Sequence, residues 1–126
     1  SRGADLVVSI HVNGLRTAPT VRGFEAYHWP GNQDGTLVAR TMTECAPLSL
    51  RTGRLVATET SAGREWLQAP RNVLRVHEAP AVLAEVGYAT NTNDSSLLKR
   101  CAFREEIVCC LRAGIMRFAR AKEVGQ

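Results

Sequence analysis

Leu6-Val7-Val8-Ser9-Ile10-His11-Val12-Asn13 begins as an apolar run and closes on polar residues. A short run of this composition reads as a strand buried on both faces, of the kind found inside a parallel sheet. The same signature recurs in Pro80-Ala81-Val82-Leu83-Ala84-Glu85-Val86-Gly87-Tyr88, interrupted by one carboxylate. Two such strands, with helical patterning between and after them, predict an α/β fold: a mixed, mostly parallel sheet flanked by helices. An interior strand needs a neighbour on each side. The run at 6–11 therefore predicts that further strands precede it, and that residues 1–126 are a single domain forming the back portion of a larger one.

Working outward, Val21 to Trp29 alternates as a strand, with Phe24, Ala26 and Tyr27 among polar residues. The connection from the first strand is shorter than the dozen or more residues of a parallel crossover, so an antiparallel neighbour is expected. Leu37, Val38, Thr41, Met42 and Cys45 recur at helical spacing, and Pro47 ends or kinks that helix. Residues 48–72 lack a sustained period and predict an irregular, partly exposed excursion with short helical or strand pieces. Asn91-Thr92-Asn93-Asp94 is turn chemistry, with Asp94 or Ser95 placed to cap the next helix. That last helix is expected from about Ser95 or Cys101 to Arg120. Phe103, Ile107, Cys110, Leu111, Gly114, Ile115 and Phe118 form its apolar stripe.

Composition sets the outer bounds. A chain that is 44% hydrophobic and 22% charged is neither disordered nor low-complexity. No apolar run approaches the roughly eighteen residues of a membrane span. The net charge of +4 suits anionic partners such as cell-wall polymers or nucleic acid. On the last helix, however, Glu105 and Glu106 mix with Arg112, Arg117 and Arg120, which reads as a solvated face and predicts no nucleic-acid partner. The cysteines at 45, 101, 109 and 110 form no CxxC pair, so neither a zinc knuckle nor a disulfide framework is read, and they are expected as packing thiols.

Chemistry enters where polar groups interrupt the apolar strands. His11 closes the first strand and Glu85 lies near the end of the later one. If the strands are parallel, both side chains emerge at the carboxyl edge of the sheet, where open α/β sheets hold their ligands. An imidazole that binds an ion and a carboxylate that takes a proton from water suit metal-assisted hydrolysis. The competing reading makes His11 a satisfied structural residue and Glu85 a solvent-facing one. Asp5, Glu25 and His28 are weaker candidates, each readable as a cap, a strand-surface residue or a hydrogen-bond partner; His77 reads as a surface residue.

The order of these segments points to a family. Ala4 to Asn13 resembles the "ADLxxSIHxN" strand of the zinc-dependent N-acetylmuramoyl-L-alanine amidases of the amidase-3 family. Arg22-Gly23-Phe24-Glu25-Ala26-Tyr27 is similar to that family's "GxExY" strand, and Val73-Leu74-Arg75 to its "VLR" segment. Pro80 to Tyr88, with Asn91 and Asp94 after it, resembles "PAVLxEVGFxSNxxD", and Arg104 to Phe118 resembles the closing helix. The match runs in order over nearly the whole chain.

The resemblance implies hydrolysis of the amide between N-acetylmuramic acid and L-alanine in peptidoglycan, with zinc as cofactor. His11 would be the last of three protein zinc ligands and Glu85 the catalytic carboxylate. Glu25 would take a supporting or substrate-contacting place beside the cleft. Because peptidoglycan lies outside the cytoplasmic membrane, the implied location is the cell envelope, periplasmic or secreted. Nothing in the chain resembles the family's "DPGHGG" turn or the helical Glu after it, so two of three ligands are expected upstream and the fragment alone is expected to be inactive. The exposed edge of the 6–11 strand would then favour self-association. The alternative is a naturally short, non-catalytic homologue that binds wall glycopeptide or a partner protein.

Overall fold

The computed structural model describes residues 3–29, 31–51, 55–57, 73–74 and 78–124. Strand β1 (Val7–Asn13), β2 (Glu25–His28), β3 (Leu55–Ala57) and β4 (Ala81–Tyr88) join into one sheet of order β1-β4-β2-β3. Helix α1 (Gln33–Cys45) and a 3-10 turn (Leu48–Leu50) connect β2 to β3, while α2 (Thr92–Leu98) and α3 (Cys101–Val124) come after β4. β1 and β4 are parallel, as are β2 and β3, whereas β2 runs antiparallel to β4. The sheet is thus mixed, as the sequence predicts.

β4 is the keystone. Every one of its residues is buried, because it has a strand on either side and side chains packed on both faces. Val82, Ala84 and Val86 pack with Val38, Ala39 and Met42 of α1 and with Phe103, Ile107, Cys110 and Phe118 of α3. Ala81 and Leu83 turn to the other face, against Tyr27 and Leu74. This alternation is the strand period expressed as two layers.

Several expectations need correction. β2 starts at Glu25 and not at Val21, because Arg22 and Gly23 are tied to Asp94 instead of to the ladder. It is antiparallel to β1 in direction but is not its neighbour, since β4 lies between them. β1 reads as a strand buried on both faces, yet it is the outer strand of the described sheet, and Ile10 and Val12 are more than half exposed. Of the two starts offered for the last helix, Cys101 holds and Ser95 does not, since Ser95 belongs to the separate α2; α3 runs on to Val124, and Ile115 is 42% exposed instead of completing the apolar stripe. Asn91, not Asp94 or Ser95, is the N-cap of α2, its side chain accepting from the amides of Asn93 and Asp94. Of the cysteines only Cys110 is a packing thiol; Cys45, Cys101 and Cys109 are exposed.

Gly114 sets the spacing of α1 and α3. A Cβ there would lie 2.6 Å from Met42 Cγ and 3.1 Å from the Val38 carbonyl oxygen. Met42 is wholly buried and the carbonyl is backbone, so neither yields cheaply. Gly114→Ala gains up to about 1 kcal/mol of helix propensity, but overpacking costs about 1–3 kcal/mol. The expected outcome is net destabilisation, read as a lower denaturation midpoint in urea; a midpoint equal to or above that of the parent would contradict this packing.

Candidate active site

The register places the two sequence candidates side by side. His11 on β1 is the Cα partner of Glu85 on β4, and Glu85 is in turn the partner of Glu25 on β2. Register partners project to one face, which is the face opposite α1 and α3. His11 and Glu85 stand near the carboxyl ends of the parallel pair β1 and β4, as the sequence predicts. Glu25 joins them because β2 runs the other way and enters the sheet at that edge.

The three side chains have different surroundings. His11 is exposed, and its Nε2 lies 2.8 Å from the Ser9 hydroxyl, two residues back on the same face. Glu25 is 4% exposed, and its Oε2 accepts a hydrogen bond of 2.7 Å from the Tyr27 hydroxyl. Burial, with the Glu25 carboxylate accepting its proton's hydrogen bond, holds the Tyr27 phenol well above its usual range. Glu85 is 9% exposed, and its Oε2 is buried with no hydrogen-bond partner among the described residues. Such an orphan is costly, because a buried carboxylate oxygen has given up water for nothing. Desolvation first, and the Glu25 charge second, push the Glu85 carboxyl up from 4.5 to about 7.

Stability responds to this shift. Below about pH 4.5 Glu85 is protonated in folded and unfolded chains alike, and its burial carries no ionic cost. As pH rises through about 7 the folded chain must hold an anion that the unfolded chain solvates freely, so this contribution to stability is lost. Glu85→Gln is therefore expected to stabilise the fold near pH 8 by a few kcal/mol, on the order of 1.4 kcal/mol per unit of raised pKa. The gain should fade below about pH 5. Urea titrations of both proteins across that range check it; a gain independent of pH would contradict the assignment.

The other candidates lie elsewhere. His28 faces α1, where its Nδ1 is 3.1 Å from the Trp29 carbonyl oxygen and 3.2 Å from the Thr36 hydroxyl. Asp5 is exposed before the start of β1, at the end remote from His11. His77 falls outside the described residues, as do Arg75 and most of the excursion at 48–72. Residues missed in the sequence are Tyr27, which braces Glu25, and the pair Arg22 and Asp94. The Asp94 carboxylate accepts from the amides of Gly23 and Tyr88 and from Arg22 Nε, joining the approach to Glu25 to the exit from Glu85. A Gly two residues before an acidic strand position was the available signal; its partner 71 residues away was not.

Among the described residues no group of three or more His, Cys, Asp or Glu could hold a metal ion. His11, Glu25 and Glu85 are therefore not a closed ligand set, and these residues do not fit a complete zinc site, which takes three or four protein groups. What they do present is an exposed imidazole beside a desolvated carboxylate.

The N-acetylmuramoyl-L-alanine amidase family model matches residues 1–117. The chain is 36% identical over 107 residues to the N-acetylmuramoyl-L-alanine amidase CwlM of Bacillus licheniformis, covering 85% of this chain and 38% of that protein. Among solved structures it is similar to the CwlD amidase of Clostridioides difficile, solved in complex with the GerS lipoprotein. That likeness has a TM-score of 0.76 at 21% identity and covers 96% of this chain and 57% of that one. The amidase Ami1 of Mycobacterium smegmatis gives a TM-score of 0.68 at 25% identity, covering 93% and 55%. The chain thus spans 38% of the curated relative and little more than half of each of these structures.

Proposed function

The chain belongs to the N-acetylmuramoyl-L-alanine amidase family, and on that premise we propose that an amidase containing it hydrolyses the amide between N-acetylmuramic acid and L-alanine in peptidoglycan, at the cell envelope, with Glu85 as the proton-transferring group. The observation that carries this reading is the state of Glu85: central in the sheet, desolvated, one oxygen without a partner among the described residues, and next in register to His11. A carboxyl poised near 7 exchanges its proton readily at neutral pH. Glu85 accepts a proton from the water that attacks the lactyl carbonyl, then returns it to the departing alanine nitrogen. Glu25 holds a second negative charge beside it and so keeps the returned proton available. His11 would be one donor to zinc, which takes three or four protein groups. Zinc in such a site supplies Lewis acidity to water and carbonyl.

Purified sacculi provide the test. Incubation with zinc and an amidase containing this chain is expected to release new L-alanine amino termini, without new reducing ends or D-alanine termini. In that amidase His11→Ala should lower bound zinc from about one equivalent to near none, read by elemental analysis. Release of reducing sugar ends would assign a different bond. Binding to sacculi without hydrolysis, zinc present, would favour the non-catalytic reading instead.

A further inference from the structure

Behind the sheet, α1 and α3 approach each other at Gly114, which sits against Met42 and the Val38 carbonyl. One turn earlier on α3, buried Cys110 donates its thiol hydrogen to the Met42 carbonyl, with Sγ 2.9 Å from the oxygen. Gly114 therefore lies opposite the turn from Val38 to Met42, and Cys110 lies opposite the next turn of α1, which contains Cys45. Val38, Met42 and Cys45 are spaced i, i+4, i+7 and share one helix face. A side-chain atom on the Cβ three residues after a helical carbonyl can reach that carbonyl, as Ser and Thr side chains do. The Cys45 sulfur can thus reach, by its choice of χ1, the oxygen that Cys110 already touches. Burial first, and the neighbouring Cys45 second, push the Cys110 thiol up to about 12.

We propose that Cys45 and Cys110 are a latent dithiol pair that closes to a disulfide on oxidation and staples the last turn of α1 to the middle of α3. Both are free thiols in this structure, Cys45 exposed and Cys110 buried, which sets the order of events. With glutathione disulfide as oxidant, the Cys45 thiolate attacks one of its sulfurs; a mixed disulfide forms and one glutathione thiolate leaves. Cys110 then gives its proton to solvent and attacks the Cys45 sulfur, expelling the second glutathione. Two protein thiols are oxidised and one disulfide is reduced to two thiols. The buried, reluctant Cys110 makes the second step the slow one. The pair lies on the sheet face away from His11 and Glu85, so the link stiffens the scaffold whatever reaction the edge performs.

The reduced 126-residue chain, incubated with a glutathione redox buffer and quenched by alkylation, provides the test. The quenched chain should carry two alkyl groups where the reduced chain carries four, and digestion should yield the tryptic peptide 41–51 joined to 105–112. Because the second peptide holds both Cys109 and Cys110, Cys109→Ser should keep the link, and Cys45→Ser, an exposed substitution, should abolish it. In guanidinium the same oxidation should scatter over other pairings, whereas the native chain should favour this one by roughly tenfold or more. Closing so long a loop should raise the thermal midpoint by about 5 °C or more, reversibly with reductant. A glutathione adduct on Cys45 that never resolves, a link to Cys109, or the same pairings in native and denatured chains would each overturn the proposal.

Discussion

In an amidase containing this chain, Glu85→Gln is expected to lower the rate of muramoyl–alanine cleavage by 10² to 10⁴ or more, while leaving zinc content unchanged. The substitution keeps the shape of the side chain and its place between His11 and Glu25. What it removes is the titratable oxygen. An amide cannot accept the proton of an attacking water, so the loss falls on turnover while substrate affinity is retained. The same substitution is expected to make the fold more stable above neutrality, because it relieves the cost of an ionised, desolvated carboxylate. Opposite signs for activity and stability are the signature of a group held in an unfavourable setting for its chemistry. Dye release from labelled sacculi, alongside urea unfolding, measures both. Near-normal turnover would remove Glu85 from the reaction; lost turnover with lost stability would make it a structural residue.

The parts of this arrangement that were legible in the sequence are those set by local pattern. Apolar runs of strand length announced β1 and β4, and polar residues interrupting them marked His11 and Glu85. Their parallel pairing then comes from the topology of such runs. The position of β4 between β1 and β2 was not legible, because a short connection constrains strand direction and says nothing about a later strand inserting between the two. The cap of α2 was ambiguous for a chemical reason. Asn91 and Asp94 can both cap, and only the distant amide of Gly23 and side chain of Arg22 show that Asp94 is committed elsewhere. The break between α2 and α3 falls at Lys99 and Arg100, with no Gly or Pro to announce it. The setting of Glu85 was also beyond pattern reading, since its burial depends on which strands flank it.

Asp94→Ala is expected to destabilise the fold by roughly 3–5 kcal/mol, the largest effect of any single polar substitution away from the site. Asp94 has no exposed surface. Its Oδ2 accepts from Gly23 N at 2.7 Å and Tyr88 N at 3.1 Å, and its Oδ1 lies 2.9 Å from Arg22 Nη2. Truncation orphans two amides, each costing about 1–3 kcal/mol, and leaves Arg22 without its counter-ion. Arg22 itself is 37% exposed, so water recovers part of that charge term and the amides carry most of the loss. Against a typical stability of about 5–15 kcal/mol, this is a large share. Asp94→Asn separates the contributions. It retains one carbonyl oxygen for the amides and surrenders the charge, so about half the loss is expected. Urea midpoints for the two variants and for Arg22→Ala measure the series. Arg22→Ala should be the mildest of the three, because it leaves both amides paired. An Asp94→Ala variant within about 1 kcal/mol of the parent would mean that solvent reaches Gly23 and Tyr88. The bolt between the start of β2 and the end of β4 would then not be what holds Glu25 opposite Glu85.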